Sequence, residues 1–231
     1  MYLFPASEFE SQSVVGPESA GIVQDFPIAA PTSAPVGRSA VKRSFDLLLA
    51  TGLLVFFAPM LLLIAVLVRA TSSGPALFKQ RRTGLNGRIF YIYKFRSMTV
   101  MEDGKVLAAR REDARVTRLG AILRRSSLDE LPQLLNVLKG EMSLVGPRPH
   151  AIAHDELYGT LLPNYPERFR ARPGLTGLAQ TTGFRGEIKT IDCLKGRVDA
   201  DLQYIGRWSP LLDIKVLWAT ALLFWRDERA Y

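Results

Sequence analysis

The sequence predicts a mainly helical α/β protein with a short β-hairpin, joined to a membrane by an apolar segment near its N-terminus. Three observations predict it. Leu47 to Val68 is a run of 22 residues without a charge. Two strand-like runs flank an Asn86-Gly87 turn, and an amphipathic helical pattern begins beside two adjacent acids, Asp129 and Glu130. They divide the chain into a tail over residues 1–40, a membrane segment over 41–70 and a folded domain over 71–231.

Composition sets the frame. At 48% hydrophobic and 23% charged residues, this is a globular rather than a disordered chain. Thirty Lys and Arg against 22 Asp and Glu give a net charge of +8 and a pI near 9.8, so the partners are anionic: nucleic acid, phospholipid headgroups or a phosphorylated substrate. The tail runs against this trend, with Glu8, Glu10, Glu18 and Asp25 against Arg38 alone and five of the 14 prolines. It has no sustained apolar period and reads as flexible. It also lacks the basic start and continuous apolar core of a signal peptide. The single cysteine, Cys193, excludes an internal disulfide, fits a reducing compartment and reads as a small packing residue.

As a helix, 22 uncharged residues are long enough to cross the ~30 Å hydrocarbon layer. Pro59, near the middle, removes one helical hydrogen bond and favours a bend. Lys42 and Arg43 flank one end, and Arg69, Lys79, Arg81, Arg82 and Arg88 follow the other, so both ends are drawn to the cytoplasmic side. A bent hairpin that enters and leaves on one face and a straight kinked span both remain open on these grounds.

Past this segment, the turn at Gly84 to Gly87 predicts the β-hairpin. Residues 112–125 place Ile122 and Leu123 beside Arg115, Arg118, Arg124 and Arg125, which predicts a short helix with a basic face. Leu131, Leu134, Leu135 and Leu138 then follow helical spacing, with Lys139 and Gly140 as a basic last turn and a stop. Proline is harmless in a first turn, so Pro132 puts the start near Asp129 rather than at a capping box built on Ser127 and Glu130. Both acids would lie at the helix entrance, where the dipole favours ionised carboxylates.

Two loops point to related chemistry. In "SLVGPRPH" Arg148 stands between two prolines, and in "RARPGLTGLAQ" Arg172 precedes Pro173-Gly174, with a second turn at Thr176-Gly177. Arginines on backbone so restricted suit the binding of a diphosphate. His150 and His154 have metal-like spacing but no third clustered ligand, so zinc is not expected.

"KRSFD" with the apolar segment, "KFRSM", "SLDELPQLLNVLKGEMSLVGPRP" and "RPGLTGLAQ" together resemble the bacterial sugar transferases, the monotopic polyprenol-phosphate phosphoglycosyl transferases, over residues 41–231. The resemblance implies an enzyme at the cytoplasmic face of the bacterial inner membrane. It moves a sugar 1-phosphate from a UDP-sugar to polyprenyl (undecaprenyl) phosphate, releases UMP and initiates a surface polysaccharide or glycan. It also implies a re-entrant helix-hairpin broken at Pro59, in contact with phospholipid. Family members often carry Ser before that proline; here it is Ala58, so a hydroxyl that can bond to the broken helix is absent.

Carried onto this chain, the resemblance makes Asp129 the catalytic aspartate and Glu130 its partner, with Mg²⁺ held near Asp129, and Arg124 and Arg148 phosphate contacts. The physics agrees: a carboxylate approaches phosphorus only when cations neutralise the phosphate oxygens, and a carboxylate nucleophile gives an acyl phosphate. The C-terminal stretch "GFRGEIKTIDCLKGRVDADLQYIGRWSPLLDIKVLWATALLFWRDERAY" resembles the undecaprenyl-phosphate glucose phosphotransferases, which favours a hexose over an N-acetylhexosamine donor. Within it, residues 211–225, with Trp218 and Trp225, fit either a core helix or an interfacial one. The rival from another class is a membrane-tethered module for nucleic acid or anionic lipid. The paired acids amid the arginines argue against nucleic acid, and self-association is left open.

Overall fold

The computed structural model describes residues 33–98, 115–186, 188 and 190–226. The first 32 residues of the expected tail, the stretch 99–114 with the start of the expected basic helix, and the side chain of Trp225 lie outside the described residues.

A short helix α1 (Pro35–Arg38) leads into α2 (Ala40–Thr71), capped by the Ser39 side chain, which accepts from the Lys42 N–H. Pro59 lies inside α2 without ending it, so the apolar segment is one helical element rather than two separate helices. Its buried positions are Lys42, Asp46, Ala50, Ile64 and Val68, which fall within an arc of about 80° on an ideal helix. Most of its apolar surface faces outward: Leu48, Val55, Phe56 and Leu62 are each about 70% exposed or more.

Strands β1 (Leu77–Thr83) and β2 (Ile89–Phe95) form the expected antiparallel hairpin, with Leu77 opposite Phe95 and Thr83 opposite Ile89. Its turn puts both Asn86 (φ 56°) and Gly87 (φ 76°) in the left-handed region, which that residue pair tolerates best. Next come α3 (Arg118–Arg125), α4 (Leu134–Lys139), β3 (Ser143–Val145), α5 (Ile152–Leu161), β4 (Gly174–Thr176), α6 (Leu178–Thr181), α7 (Ile191–Arg207) and α8 (Pro210–Arg226). The basic helix α3 forms, capped by Thr117, but it starts at Arg118, so Arg115, expected on it, precedes it.

Three expectations need correction. The segment beside Leu131 is not one helix from Asp129. A 3-10 turn, Leu128–Gln133, holds both acids and Pro132, and α4 starts only at Leu134. The buried face of α4 is Leu134, Asn136 and Val137, while Leu135 is 37% exposed; with so few residues, tertiary packing overrides the leucine spacing. The Thr176 region, expected to be a turn, is part of a two-stranded parallel sheet in which Ser143 pairs with Gly174 and Val145 with Thr176. Such short strands carry no readable period. Gly174 is required there because a Cβ would collide with the Gly146 backbone. Cys193 is exposed rather than packed.

The main core gathers Ala50, Phe90, Ile92, Leu134, Val137, Leu144, Tyr204 and Val216, and so draws on α2, β2, α4, β3, α7 and α8. A second core joins Ile64 and Val68 of α2 to Phe95 and Leu123. Polar ties reinforce both ends of α2. Arg43 donates to the Val137 and Leu138 carbonyls at 2.5 and 2.8 Å, and Arg96 donates to the Ser72 carbonyl at 2.7 Å. Lys42 bridges Asp46 (3.1 Å) and Asp213 of α8 (2.9 Å) in a fully buried group. On α8, Leu211, Ile214, Trp218 and Leu222 form an exposed apolar stripe.

Candidate active site

The 3-10 turn Leu128–Gln133 starts from Ser127, held at φ 54° in the left-handed region. Ser127 caps nothing with its side chain, and Glu130 does not reach back to it, so the capping box does not form. The turn points the two acids into different surroundings. Asp129 is 8% exposed, and among the described residues no hydrogen-bond donor meets its carboxylate. Burial, reinforced by the neighbouring Glu130 charge, pushes its pKa up to about 6 against the pull of Lys94, Arg124 and Arg148. Asp129 is still mostly ionised at neutral pH, but the expected helix entrance that would favour its anion is corrected: a single 3-10 turn offers little dipole, and desolvation wins.

Glu130 is saturated. Its Oε1 accepts from Lys94 Nζ and from Arg148 Nη2, each at 2.8 Å, and Oε2 accepts from Arg148 Nη1 at 3.3 Å. Burial alone would raise its pKa, but the two cations overcome that and hold it well below the usual carboxylate range. Glu130 therefore serves as the anchor that aims Lys94 and Arg148 beside Asp129.

Each cation is held by its own element. Lys94 stands near the end of β2, opposite Phe78. The adjoining backbone is clamped by the buried Asn136, which accepts from the Tyr93 N–H (3.0 Å) and donates to the Tyr91 carbonyl (2.7 Å). Arg148 lies between Pro147 and Pro149, and its carbonyl accepts from Arg168 Nη2 at 2.7 Å. Arg168, in the 3-10 turn Tyr165–Arg170, is buried against Asp201 of α7 at 2.8 Å. Arg124, in the last turn of α3, is near enough for its charge to act on Asp129.

The structure thus brings Asp129, Glu130, Arg124 and Arg148 together. Arg172 is placed otherwise: its guanidinium donates to the Gly140 carbonyl (3.0 Å) and the Gly37 carbonyl (2.9 Å), tying α1 to the end of α4. Proline-glycine context identified a fixed arginine but not what it is fixed to. Lys94, Asn136 and Arg168 were missed as site residues. The only signal for Lys94 was its place in "YKFRSM", and Asn136 and Arg168 gave none.

A divalent ion fits this site at one position. Among the described residues no donor meets Asp129, whereas Glu130 is committed to two cations, so Asp129 is the acid that would be open to such an ion, with phosphate oxygens to complete the shell. His150 is taken up elsewhere: its Nδ1 lies 2.7 Å from the Tyr165 hydroxyl and 3.2 Å from Arg168 Nη1, and its Nε2 lies 3.4 Å from Arg197 Nη1. Among the described residues no cluster of three or more His, Cys, Asp or Glu could hold a metal on its own.

Comparison with known proteins identifies relatives of the chain. Residues 37–227 match the model of a family described as bacterial sugar transferase. A UDP-glucose:undecaprenyl-phosphate glucose-1-phosphate transferase of Caulobacter vibrioides is 51% identical over 201 residues, which are 85% of this chain and 75% of that one. A protein of the same name from Klebsiella pneumoniae is 47% identical over 82% of this chain and 41% of its own. An exopolysaccharide production protein, PSS, of Rhizobium leguminosarum bv. phaseoli is 45% identical over 79% of this chain and 94% of its own.

Proposed function

The chain belongs to the bacterial sugar transferase family, and from that premise we propose that it moves glucose 1-phosphate from UDP-glucose to undecaprenyl phosphate, with Asp129 as nucleophile. The observation that carries this reading is the division of labour between adjacent acids. Glu130 is consumed by Lys94 and Arg148, while Asp129 is buried beside the same cations with its carboxylate unpartnered. Burial strips water from a carboxylate and makes it a better nucleophile, and flanking cations neutralise the anion it must attack.

In the first step an Asp129 carboxylate oxygen attacks the β-phosphorus of the UDP-sugar. The bond from that phosphorus to the bridging oxygen breaks, and UMP leaves with the electron pair. In the second step an oxygen of undecaprenyl phosphate attacks the same phosphorus, and the bond to Asp129 breaks, giving the lipid diphosphate-sugar and the free carboxylate. Lys94, Arg124 and Arg148 offset the charge that gathers on phosphate oxygens in both steps. A bound Mg²⁺, with Asp129 as its protein ligand, would supply further charge neutralisation. The names of the compared proteins favour glucose, and the exopolysaccharide relative favours a role in starting such a polymer. The family match leaves the nucleic-acid-binding alternative without support.

The membrane reading rests on α2. On one face of α2, Leu49, Ala50, Leu53 and Leu54 pack into the main core and Met60, Leu61, Ile64, Ala65 and Val68 into the second, while Leu48, Leu62, Leu63 and Val66 face outward. A helix with both ends fixed to one domain enters and leaves a membrane on the same side. Its tip carries the exposed Val55 and Phe56 with Pro59, where the missing N–H permits bending. The catalytic domain is then placed on the cytoplasmic face, where UDP-sugars are made. The α8 stripe, ending in Trp218 and Leu222, suits the same interface.

The test is exchange of labelled UMP into UDP-glucose by solubilised protein with Mg²⁺ and no lipid acceptor. Exchange is expected, because a covalent intermediate forms without the acceptor; exchange that requires undecaprenyl phosphate would replace this scheme with direct transfer.

A further inference from the structure

We propose that Arg185 is a further phosphate-binding residue of this site, delivered by a loop that a buried arginine holds in place. The inference rests on the reaction proposed above. Arg185 lies between Gly183, at φ 99°, and Gly186, a loop 58 residues downstream of Ser127 in sequence. Its Nη2 nevertheless donates to Ser127 Oγ at 3.2 Å, at the residue whose left-handed backbone starts the turn bearing Asp129.

Two observations show that this approach is built. Arg197 of α7, 7% exposed, donates through Nη2 to the Gly186 carbonyl at 2.6 Å, fixing the loop next to Arg185. Arg197 Nη1 also lies 3.4 Å from Nε2 of the buried His150, whose Nδ1 lies 3.2 Å from Arg168 Nη1. Arg168 in turn holds the Arg148 carbonyl. One buried group therefore secures both the loop that presents Arg148 and the loop that presents Arg185.

Charge gives this loop a task. Lys94 and Arg148 are paired with Glu130, whereas the reaction brings two phosphates on the donor and a third on the acceptor. Arg185 meets the turn at Ser127, two residues before Asp129, and a guanidinium binds a phosphate through a planar fork of donors. Donor diphosphate and acceptor phosphate share that chemistry, and kinetics separate them.

The experiment measures transfer from UDP-glucose to undecaprenyl phosphate by detergent-solubilised full chain, varying each substrate for wild type, Arg185→Ala and Arg185→Lys. About a tenfold or larger rise in KM for Arg185→Ala is expected, with Arg185→Lys between Ala and wild type. A rise confined to UDP-glucose assigns Arg185 to the donor, and one confined to undecaprenyl phosphate assigns it to the acceptor. Unchanged KM values for both substrates overturn the proposal, as does a fall in kcat alone, which would mark Arg185 as a mere support of the Ser127 turn. No transfer by the wild type would instead overturn the proposed reaction.

Discussion

Two charged clusters in this protein are built from similar residues and end in opposite states. At the root of α2, Lys42 bridges Asp46 and Asp213, and both acids accept further bonds from neighbouring elements. Asp46 accepts from the Leu144 N–H (3.1 Å), and Asp213 accepts from Tyr204 (2.8 Å) and Trp208 (3.1 Å). In the turn Leu128–Gln133, one acid is saturated while its neighbour Asp129 is buried and, among the described residues, left without a donor. The first cluster holds α2, α7, α8 and β3 together. The second leaves one buried carboxylate exposed to whatever substrate brings. Among the described residues other buried polar atoms also lack partners, Asp155 Oδ2 and Gln180 Oε1 among them, so what marks Asp129 for chemistry is a carboxylate without a donor, set within reach of Lys94, Arg124 and Arg148.

The sharpest way to break the comparison is Asp129→Asn. UMP exchange should fall by about 10³-fold or more, about 4 kcal/mol of lost transition-state stabilisation, while the unfolding temperature in detergent stays close to wild type. A large drop in stability would show that Asp129 is architectural after all. Next in size is Lys42→Met, which strands two buried carboxylates and should destabilise the fold by about 3–5 kcal/mol. Thermal unfolding reads this loss, and the folded fraction should exchange UMP at a normal rate per molecule.

Glu130→Gln tests whether the saturated acid is a positioning group. Lys94 and Arg148 lose their anchor, and exchange should fall about 100-fold, or about 2.7 kcal/mol. The sign of the pH effect is also fixed. The Glu130 charge helps to raise the Asp129 pKa to about 6, so its removal lowers that pKa. The acidic limb of kcat/KM, which reports loss of the ionised nucleophile as pH falls, should move to lower pH. An unmoved limb would mean that Asp129 does not titrate in the rate profile. The smallest effect is expected for Arg148→Lys, where charge remains but the two-pronged contact to Glu130 is lost, at roughly a tenfold fall in exchange.

Much of the fold was legible in local patterns. Asn86-Gly87 specified its hairpin turn because few residue pairs accept two positive φ angles. Gly140, at φ 84°, stops α4 as expected, with Lys139 before it. The apolar run of α2 was plain, although its length alone did not reveal that both ends stay on one domain. The parallel pairing of β3 with β4 joins residues about 30 apart through short strands, and nothing local announces it. In the site, Asp129, Glu130, Arg124 and Arg148 were recognisable from their motifs. The state of the acids was not, because it depends on Lys94, 36 residues upstream of Glu130, and on Arg148, 18 downstream.

By itself, the sequence determined the long apolar segment, the helical and hairpin elements, the family resemblance and the identity of the paired acids. These follow from backbone restrictions, hydrophobic period and motif order, all of which act between near neighbours or are written directly in the chain. Only the tertiary structure decided that Glu130 is spent on Lys94 and Arg148, that Arg172 braces α1 and α4, and that Arg185 reaches Ser127. Charge and desolvation depend on which distant groups fold into contact, and that depends on the packing of the whole domain.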